Sequence, residues 1–205
     1  MTEPNLTALA LVLSLKPSPA PSSSALMASH VMARLADEGV TGETVRVVDH
    51  DVRPGVERDM GEGDRWPAIL EKVHAADILV FSTPTWVGHM TSVAQRVLER
   101  LDAEISETDD DDRPVLTDKV AVVAVVGNED GAHHIVADAF QGLNDVGYSI
   151  PAMGCTYWNG EAMSGVDFSD LDEVPDPVAS ATATAAQNAA HLAKALKAAK
   201  YPPPK

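Results

Sequence analysis

The chain has 205 residues, of which 45% are hydrophobic, and a formal net charge of −16 at pH 7. This length suits one domain with a buried core, and a surface this acidic repels nucleic-acid phosphates and anionic lipid, so we expect neither partner. The single cysteine, Cys155, excludes an internal disulfide, a cysteine-based zinc site and an iron–sulfur cluster, and residues 1–5 lack the basic start of a signal peptide, which favours a cytoplasmic protein.

Short apolar runs alternate along the chain with amphipathic stretches. The runs predict strands at residues 6–13, 44–48, 77–81, 119–126 and 149–153, and the amphipathic stretches predict helices at 25–38, 65–75, 90–101, 133–146 and 178–200. This alternation predicts an α/β fold, a doubly wound five-stranded parallel sheet of order 2-1-3-4-5 with helices on both faces. We assign residues 1–160 to this domain. Residues 161–205 form a C-terminal loop, an Ala-rich helix and a Pro-rich tail from residue 201, packed on the same domain, and we expect the tail to fray.

Ligands of such a sheet bind beyond the carboxyl ends of the strands, at the point where the strand order reverses. The loops that reach this point follow the first, third and fourth strands, at residues 14–24, 82–89 and 127–134. They are also the least regular segments of the chain, so we place the candidate site there.

The first loop has the residues of a phosphate site. Ser22, Ser23 and Ser24 stand directly before a helix, where hydroxyls, backbone N–H groups and the helix dipole favour an anion. Ser14 and Lys16 open the loop, and Lys16 adds a positive charge. Helix capping by Ser24 is the simpler interpretation, but capping alone does not require a long loop with three prolines. Because the motifs GxGxxG and GxxxxGK[ST] are missing, a dinucleotide-binding Rossmann site and a P-loop are disfavoured.

The second loop carries an aromatic residue and a glycine next to the predicted phosphate site. Its residues of interest are Pro84, Thr85, Trp86, Val87 and Gly88. A planar ligand could lie against Trp86, or on backbone that Gly88 leaves accessible. The alternative is that Trp86 is a core or interface aromatic.

The third loop is polar and follows a very apolar strand. Its residues of interest are Gly127, Asn128, Glu129, Asp130 and Gly131. Its backbone amides and Asn128 could bond the polar edge of a ring, and we place His133 at a helix start near the ligand. His134 is interpreted as a packing or surface residue, because adjacent helical positions point about 100° apart and rarely share one ion. The acidic run at 109–112 lacks the spacing of a calcium loop, so we predict no metal site.

Together these loops resemble those of the flavodoxin-like NAD(P)H-dependent FMN reductases and quinone reductases, over residues 6–160. The resemblance lies in Ser14-Leu15-Lys16, which is similar to the family's Ser-x-Arg, in the Ser22–Ser24 cluster, in Pro84-Thr85-Trp86-Val87-Gly88 and in the loop from Gly127 to His133. Tyr157 and Trp158 stand where such proteins bring an aromatic near the site. The sequence departs from the family at Lys16, where arginine is usual, and lysine lacks the bidentate fork of arginine.

The resemblance implies a flavodoxin-like fold and bound FMN. It places the phosphate on Ser14, Lys16 and residues 22–24, and the ring between the loops of Trp86 and Asn128. It also implies an oxidoreductase that passes hydride from NADPH or NADH through FMN to a small-molecule acceptor such as free flavin or a quinone. No catalytic side chain is strictly required, and His133 and Tyr157 are candidates for proton delivery. Such proteins are homodimers or homotetramers.

Two alternatives share the fold and the flavin. One is a flavodoxin-type one-electron carrier, whose acidity would suit docking to basic partners, although the phosphate loop here is not of the compact flavodoxin type. The other is a non-catalytic flavin-binding protein. Rapid oxidation of NAD(P)H would favour the enzyme over both.

Overall fold

The computed structural model describes residues 5–203 and contains a five-stranded parallel sheet in the order β2-β1-β3-β4-β5. The strands are β1 (Leu6–Val12), β2 (Val40–Arg46), β3 (Ile78–Pro84), β4 (Val120–Gly127) and β5 (Cys155–Asn159). The helices are α1 (Ser23–Asp37), α2 (Trp66–Ala75), α3 (Ser92–Leu101), α4 (Ala132–Asp145) and α5 (Asp176–Ala198). The predicted flavodoxin-like topology is therefore confirmed.

Alternate residues of the central strands face two different helix layers. Leu9 and Leu11 of β1 belong to a core formed with α2, α3 and α4, whereas Ala8 and Ala10 belong to a core formed with α1 and α5. Successive strand side chains point to opposite faces, so both faces of the sheet are buried. The alanine stripe of α5 lies in the second core, where small side chains let the helix approach the sheet closely.

The two edge strands differ from the sequence prediction. β2 begins at Val40 rather than at residue 44, and the fifth strand, predicted at 149–153, lies at Cys155–Asn159. Within the predicted segment only Ser149 reaches the sheet, through an isolated bridge to Val120. Pro151 has no N–H to donate, and Met153 has a φ of 53°, so this segment turns away before the strand begins.

The C-terminal part is tied back to the sheet. The Lys197 ammonium contacts the Asn5 carbonyl and the Asp77 carboxylate, and Tyr201 donates its N–H to Asp118. The fraying predicted from residue 201 therefore does not begin at Tyr201, and residues 204–205 lie outside the described residues, as do residues 1–4. Among residues 5–203, no helix is both long and apolar enough to cross a membrane.

A buried arginine fixes the loop before α2. The guanidinium of Arg100 donates to the carbonyls of Arg53, Glu57 and Arg58 and, at 2.7 Å, to the carboxylate of Asp64. Burial by itself raises the pKa of Asp64, but Arg100 and three backbone N–H donors overcome this effect and hold the pKa well below its usual range. The loop is thus ordered by charge and hydrogen bonds.

Candidate functional site

A cavity of about 400 Å³ lies beyond the carboxyl ends of β1, β3 and β4. This is where the strand order reverses, as ligand sites of doubly wound sheets require. The sequence-predicted residues on its wall are Ser14, Lys16, Ser22, Ser23, Ser24, Pro84, Thr85, Trp86, Gly127, Asn128 and Glu129. The predicted residues that do not line it are Val87, Gly88, Asp130, Gly131, His133 and Tyr157.

The start of α1 forms one end of the cavity. The helix is capped by Ser22, whose hydroxyl oxygen accepts from the Ala25 N–H at 3.2 Å, and not by Ser24 as the simpler interpretation had it. Ser24 is buried, with its hydroxyl 3.0 Å from that of Ser22. The first N–H groups of a helix have no partner within it, so this end of the cavity can bind an anion.

The proline-bearing loop before α1 is held in place by its own residues and by Asp49, three residues after the end of β2. The buried Ser14 hydroxyl accepts the Lys16 N–H at 3.0 Å and donates to the Lys16 carbonyl at 3.1 Å. Both contacts are to the Lys16 backbone, and the Lys16 side chain is exposed. Ser18 donates its N–H and hydroxyl to Asp49, at 2.7 and 2.6 Å, and these bonds lower the pKa of Asp49. The loop is therefore shaped before any ligand arrives.

Trp86 stands on the cavity wall with half of its surface (50%) exposed. It opens a tight turn in which Trp86 and His89 exchange two backbone hydrogen bonds, with Val87 and Gly88 at positive φ. The Val87 N–H donates to the Glu129 carboxylate at 2.8 Å, which links the turn to the third loop. Trp86 is thus no core aromatic, since its ring remains accessible at the cavity.

The second and third loops touch through glycines. A Cβ on Gly131, whose φ is +129°, would lie 2.8 Å from the Gly88 carbonyl oxygen, and a Cβ on Gly127 would lie 2.6 Å from the Thr85 Cβ. Side chains at these positions would force the loops apart. The buried Thr85 Oγ1 on the cavity wall has no hydrogen-bond partner among the described residues. A polar atom of a ligand could form a hydrogen bond with this hydroxyl.

A further wall comes from residues 158–170, here named the cover segment, which sequence reasoning largely missed. Phe168 is buried, packs at 5.7 Å from the Trp158 ring and meets His30 of α1 edge-on. The resemblance predicts Trp158 as an aromatic near the site, and Trp158 does line the cavity. No periodicity in the irregular stretch after it predicted that Phe168 would return to α1.

Two polar contacts fasten the cover segment across the cavity. The Asn128 amide donates to Asp167 at 3.1 Å, and the Ser169 N–H donates to the Ser23 hydroxyl at 3.2 Å. The segment therefore joins the third loop to the start of α1, and it brings Asp167, Ser169 and Asp170 to the wall.

His133 and Tyr157 form a pair outside the cavity wall. The His133 Nε2 lies 2.8 Å from the Tyr157 hydroxyl, with the rings edge to face. His133 starts α4, as expected, but it contacts β5 rather than the cavity. Tyr157 belongs to β5, so the pair joins the start of α4 to the last strand of the sheet.

The charge on the wall is mostly negative. Lys16 is the only cationic side chain among the wall residues, and Glu129, Asp167 and Asp170 are anionic. Each carboxylate already accepts a hydrogen bond from the protein. An anion at this site would consequently be held mainly by N–H groups and hydroxyls at the start of α1.

These features fit riboflavin 5'-phosphate. The cavity falls in the range of about 300–1,000 Å³ of small-molecule sites. It joins a helix start that can bind an anion to the half-exposed Trp86 side chain, and its wall includes the Thr85 hydroxyl, which has no hydrogen-bond partner among the described residues.

The fold and the cavity define a flavodoxin-like flavin protein. Residues 9–162 match the sequence profile of the NADPH-dependent FMN reductases. The chain belongs to that family of flavin-dependent oxidoreductases, as the resemblance of its loops implied.

Two relatives carry more specific names. The 8-demethyl-8-aminoriboflavin-5'-phosphate synthase of Streptomyces davaonensis is 36% identical over 169 residues, which cover 78% of this chain and 66% of the relative. The divalent metal cation transporter MntH of Mycobacterium bovis is 36% identical over 169 residues, which cover 80% of this chain and 25% of the relative. The chain thus spans just under two thirds of the synthase and a quarter of the transporter.

Solved structures show the same fold. RosB with bound 8-demethyl-8-formylriboflavin-5'-phosphate superposes with a TM-score of 0.86 at 32% identity, covering 96% of this chain and 82% of that chain. The NADH:FMN oxidoreductase EMOB in its apo form has a TM-score of 0.65 at 18% identity, covering 93% of this chain and 90% of that chain. The second similarity speaks for the fold alone.

Proposed function

We propose that the cavity binds FMN and that the protein is an oxidoreductase using NADPH or NADH as hydride donor and a small molecule, such as free flavin or a quinone, as acceptor. The observation that carries the proposal is the joining of the α1 start to the Trp86 ring on one cavity wall. The proposal includes a cytoplasmic location and a homodimer or homotetramer, as the sequence predicts.

Each group of wall residues has a role in this proposal. Residues 22–24 hold the phosphate with hydroxyls and N–H groups, and Lys16 adds charge from the loop edge. The Thr85 hydroxyl forms a hydrogen bond with a polar atom of the flavin, and the Trp86 ring packs against the flavin. FMN, when bound, supplies the hydride-transfer chemistry. The protein orients the reactants and excludes water. His133 and Tyr157 lie outside the cavity wall, so neither side chain would contact the reacting atoms.

A second candidate function has a specific observation in its favour. The name of the Streptomyces davaonensis relative states a product that is a modified riboflavin 5'-phosphate, and RosB was solved with another modified riboflavin 5'-phosphate bound. In this alternative the same cavity binds FMN as a substrate, and the flavin leaves chemically changed.

The test begins with FMN and riboflavin binding to the full chain, followed by anaerobic titration of the FMN-loaded protein with NADPH and then NADH. Absorbance at ~450 nm reports reduction of the flavin, and mass spectrometry of the released flavin reports any modification. Stoichiometric bleaching by one nucleotide, with unchanged flavin mass, is the result we expect.

Other results have distinct meanings. Binding of FMN without bleaching by either nucleotide contradicts the reductase and favours the carrier or the non-catalytic flavin protein. A parallel incubation of the FMN-loaded protein in air supplies dioxygen as oxidant, and a changed mass of the flavin released from it favours the second candidate. Failure to bind FMN at all overturns the assignment of the cavity.

A further inference from the structure

Three donor side chains converge on the surface outside the cavity wall. The His134 Nε2 lies 3.1 Å from the His89 Nδ1 and 3.3 Å from a carboxylate oxygen of Asp138. All three donor atoms lie within 4.8 Å of one another, and all three residues are exposed.

The fold brings these residues together from two elements. His134 and Asp138 are four residues apart on α4, so they share one face of the helix. His89 comes from the turn after β3, and its ring meets that of His134 edge to face, with centroids 4.8 Å apart. No pattern in the sequence pairs His134 with a residue 45 positions earlier, and the adjacent His133 contacts Tyr157 instead.

The spacing of the donors matches a coordination sphere. Two donors at about 2.0–2.1 Å from a zinc ion, at a tetrahedral angle, are about 3.3 Å apart. The distances from the His134 Nε2 to the His89 Nδ1 and to the Asp138 oxygen, 3.1 and 3.3 Å, are already close to this length. Rotation of the exposed Asp138 side chain can shorten the distance between its carboxylate and His89. Two imidazoles and one carboxylate form a donor set that zinc accepts, with a further position left for water.

We propose that His89, His134 and Asp138 bind a divalent transition-metal ion of the zinc type. The metal joins the Trp86–His89 turn to α4, because His89 exchanges two backbone hydrogen bonds with Trp86. The site thereby restrains the turn that carries the aromatic wall of the cavity. The three ligands lie outside the cavity wall, so the metal binds whichever ligand the cavity takes.

The test is calorimetric titration of the untagged full chain with zinc chloride at pH 8, where free imidazole is neutral. We expect one zinc per chain. We expect His89→Ala and Asp138→Asn each to weaken binding by about tenfold or more, since loss of even an outer-shell partner costs about 10–100-fold. The matched control is His191→Ala, which removes an exposed histidine of α5. This helix packs on the other face of the sheet from α4.

Several outcomes overturn the site. These are the absence of zinc binding to the unaltered chain, equal affinity of His89→Ala and the unaltered chain, and loss of binding in His191→Ala. Unfolding midpoints without metal verify that the variants fold. With zinc, the midpoint should rise for the unaltered chain and for His191→Ala but not for His89→Ala, and a uniform rise in all three also contradicts the proposal.

Discussion

The buried hydroxyl of Thr91 donates to the Leu13 carbonyl at 2.6 Å and accepts the Ala94 N–H at 3.0 Å. One side chain thus caps α3 and fixes the point at which the chain leaves β1 for the first loop of the cavity. The bond joins residues 78 positions apart in the sequence.

Replacing Thr91 by valine removes both hydrogen bonds while keeping the shape of the side chain. We expect a loss of about 2–4 kcal/mol in unfolding free energy, from the lost cap and the unpaired carbonyl. Flavin affinity should fall as well, because the Leu13 carbonyl positions the first loop. Urea unfolding measures the first effect and FMN titration the second. Thr91→Ser retains the hydroxyl and should lose about 1 kcal/mol; equal stability of the two variants would contradict this role.

Lys16 should contribute to phosphate binding only modestly. Its side chain is exposed, so Lys16→Gln should weaken FMN binding by about two- to fivefold at low salt, corresponding to about 0.5–1 kcal/mol. Riboflavin, which lacks the phosphate, should bind both forms equally. Lys200→Gln provides an exposed control beyond α5. A large loss of riboflavin affinity in Lys16→Gln would show that the lysine acts on the loop and not on the phosphate.

The Asp64–Arg100 pair should make stability sensitive to acid. The folded-state pKa of Asp64 is lowered, so its contribution is present above the unfolded pKa of about 4 and is lost as the pH falls toward the folded-state value. Asp64→Asn leaves the Arg100 charge uncompensated and should cost about 3–5 kcal/mol at pH 7.

The check on this pair is denaturant unfolding between pH 7 and pH 2.5. The difference between the unaltered chain and Asp64→Asn should narrow below a pH of about 4. Asp37→Asn breaks an exposed pair with Arg34 and should cost less than about 1 kcal/mol. A difference for Asp64→Asn that stays constant with pH is incompatible with the lowered pKa.

Gly131 should tolerate no side chain. Its own φ is positive, and a Cβ on it would lie 2.8 Å from the Gly88 carbonyl oxygen. We expect Gly131→Ala to cost about 2–5 kcal/mol and to weaken FMN binding by moving the Trp86 turn. Gly39 also has positive φ, but no atom lies within 4 Å of its built Cβ, so Gly39→Ala should cost about 1 kcal/mol and leave FMN binding unchanged. Equal effects of both substitutions on FMN binding would show that the contact of the two loops is unimportant.

The sequence predicted the central strands better than the edges for a physical reason. β4 is buried on both faces and reads as an uninterrupted apolar run, which is found at its predicted place to within a residue. β2 and β5 have exposed and polar positions, so their apolar pattern is weak. The prediction consequently preferred a more apolar segment, 149–153, that contains Pro151.

The candidate site shows the same limit. Loops next to predicted strand ends, such as the one containing Trp86, could be placed from topology alone. Phe168 and Asp167 could not, since their positions depend on packing against α1 and on a hydrogen bond to Asn128 far away in the sequence. The fold of the cover segment is set by non-local contacts that no periodicity records.

The buried ring of Phe168 has a kinetic consequence for the proposed flavin site. The ring packs between Trp158 of the same segment and His30 of α1, so any movement of this wall requires the ring to leave a buried site. On the opposite side of the cavity, half of the Trp86 surface is exposed. A bound flavin would therefore exchange with solvent past Trp86, at a rate that does not depend on opening of the cover segment.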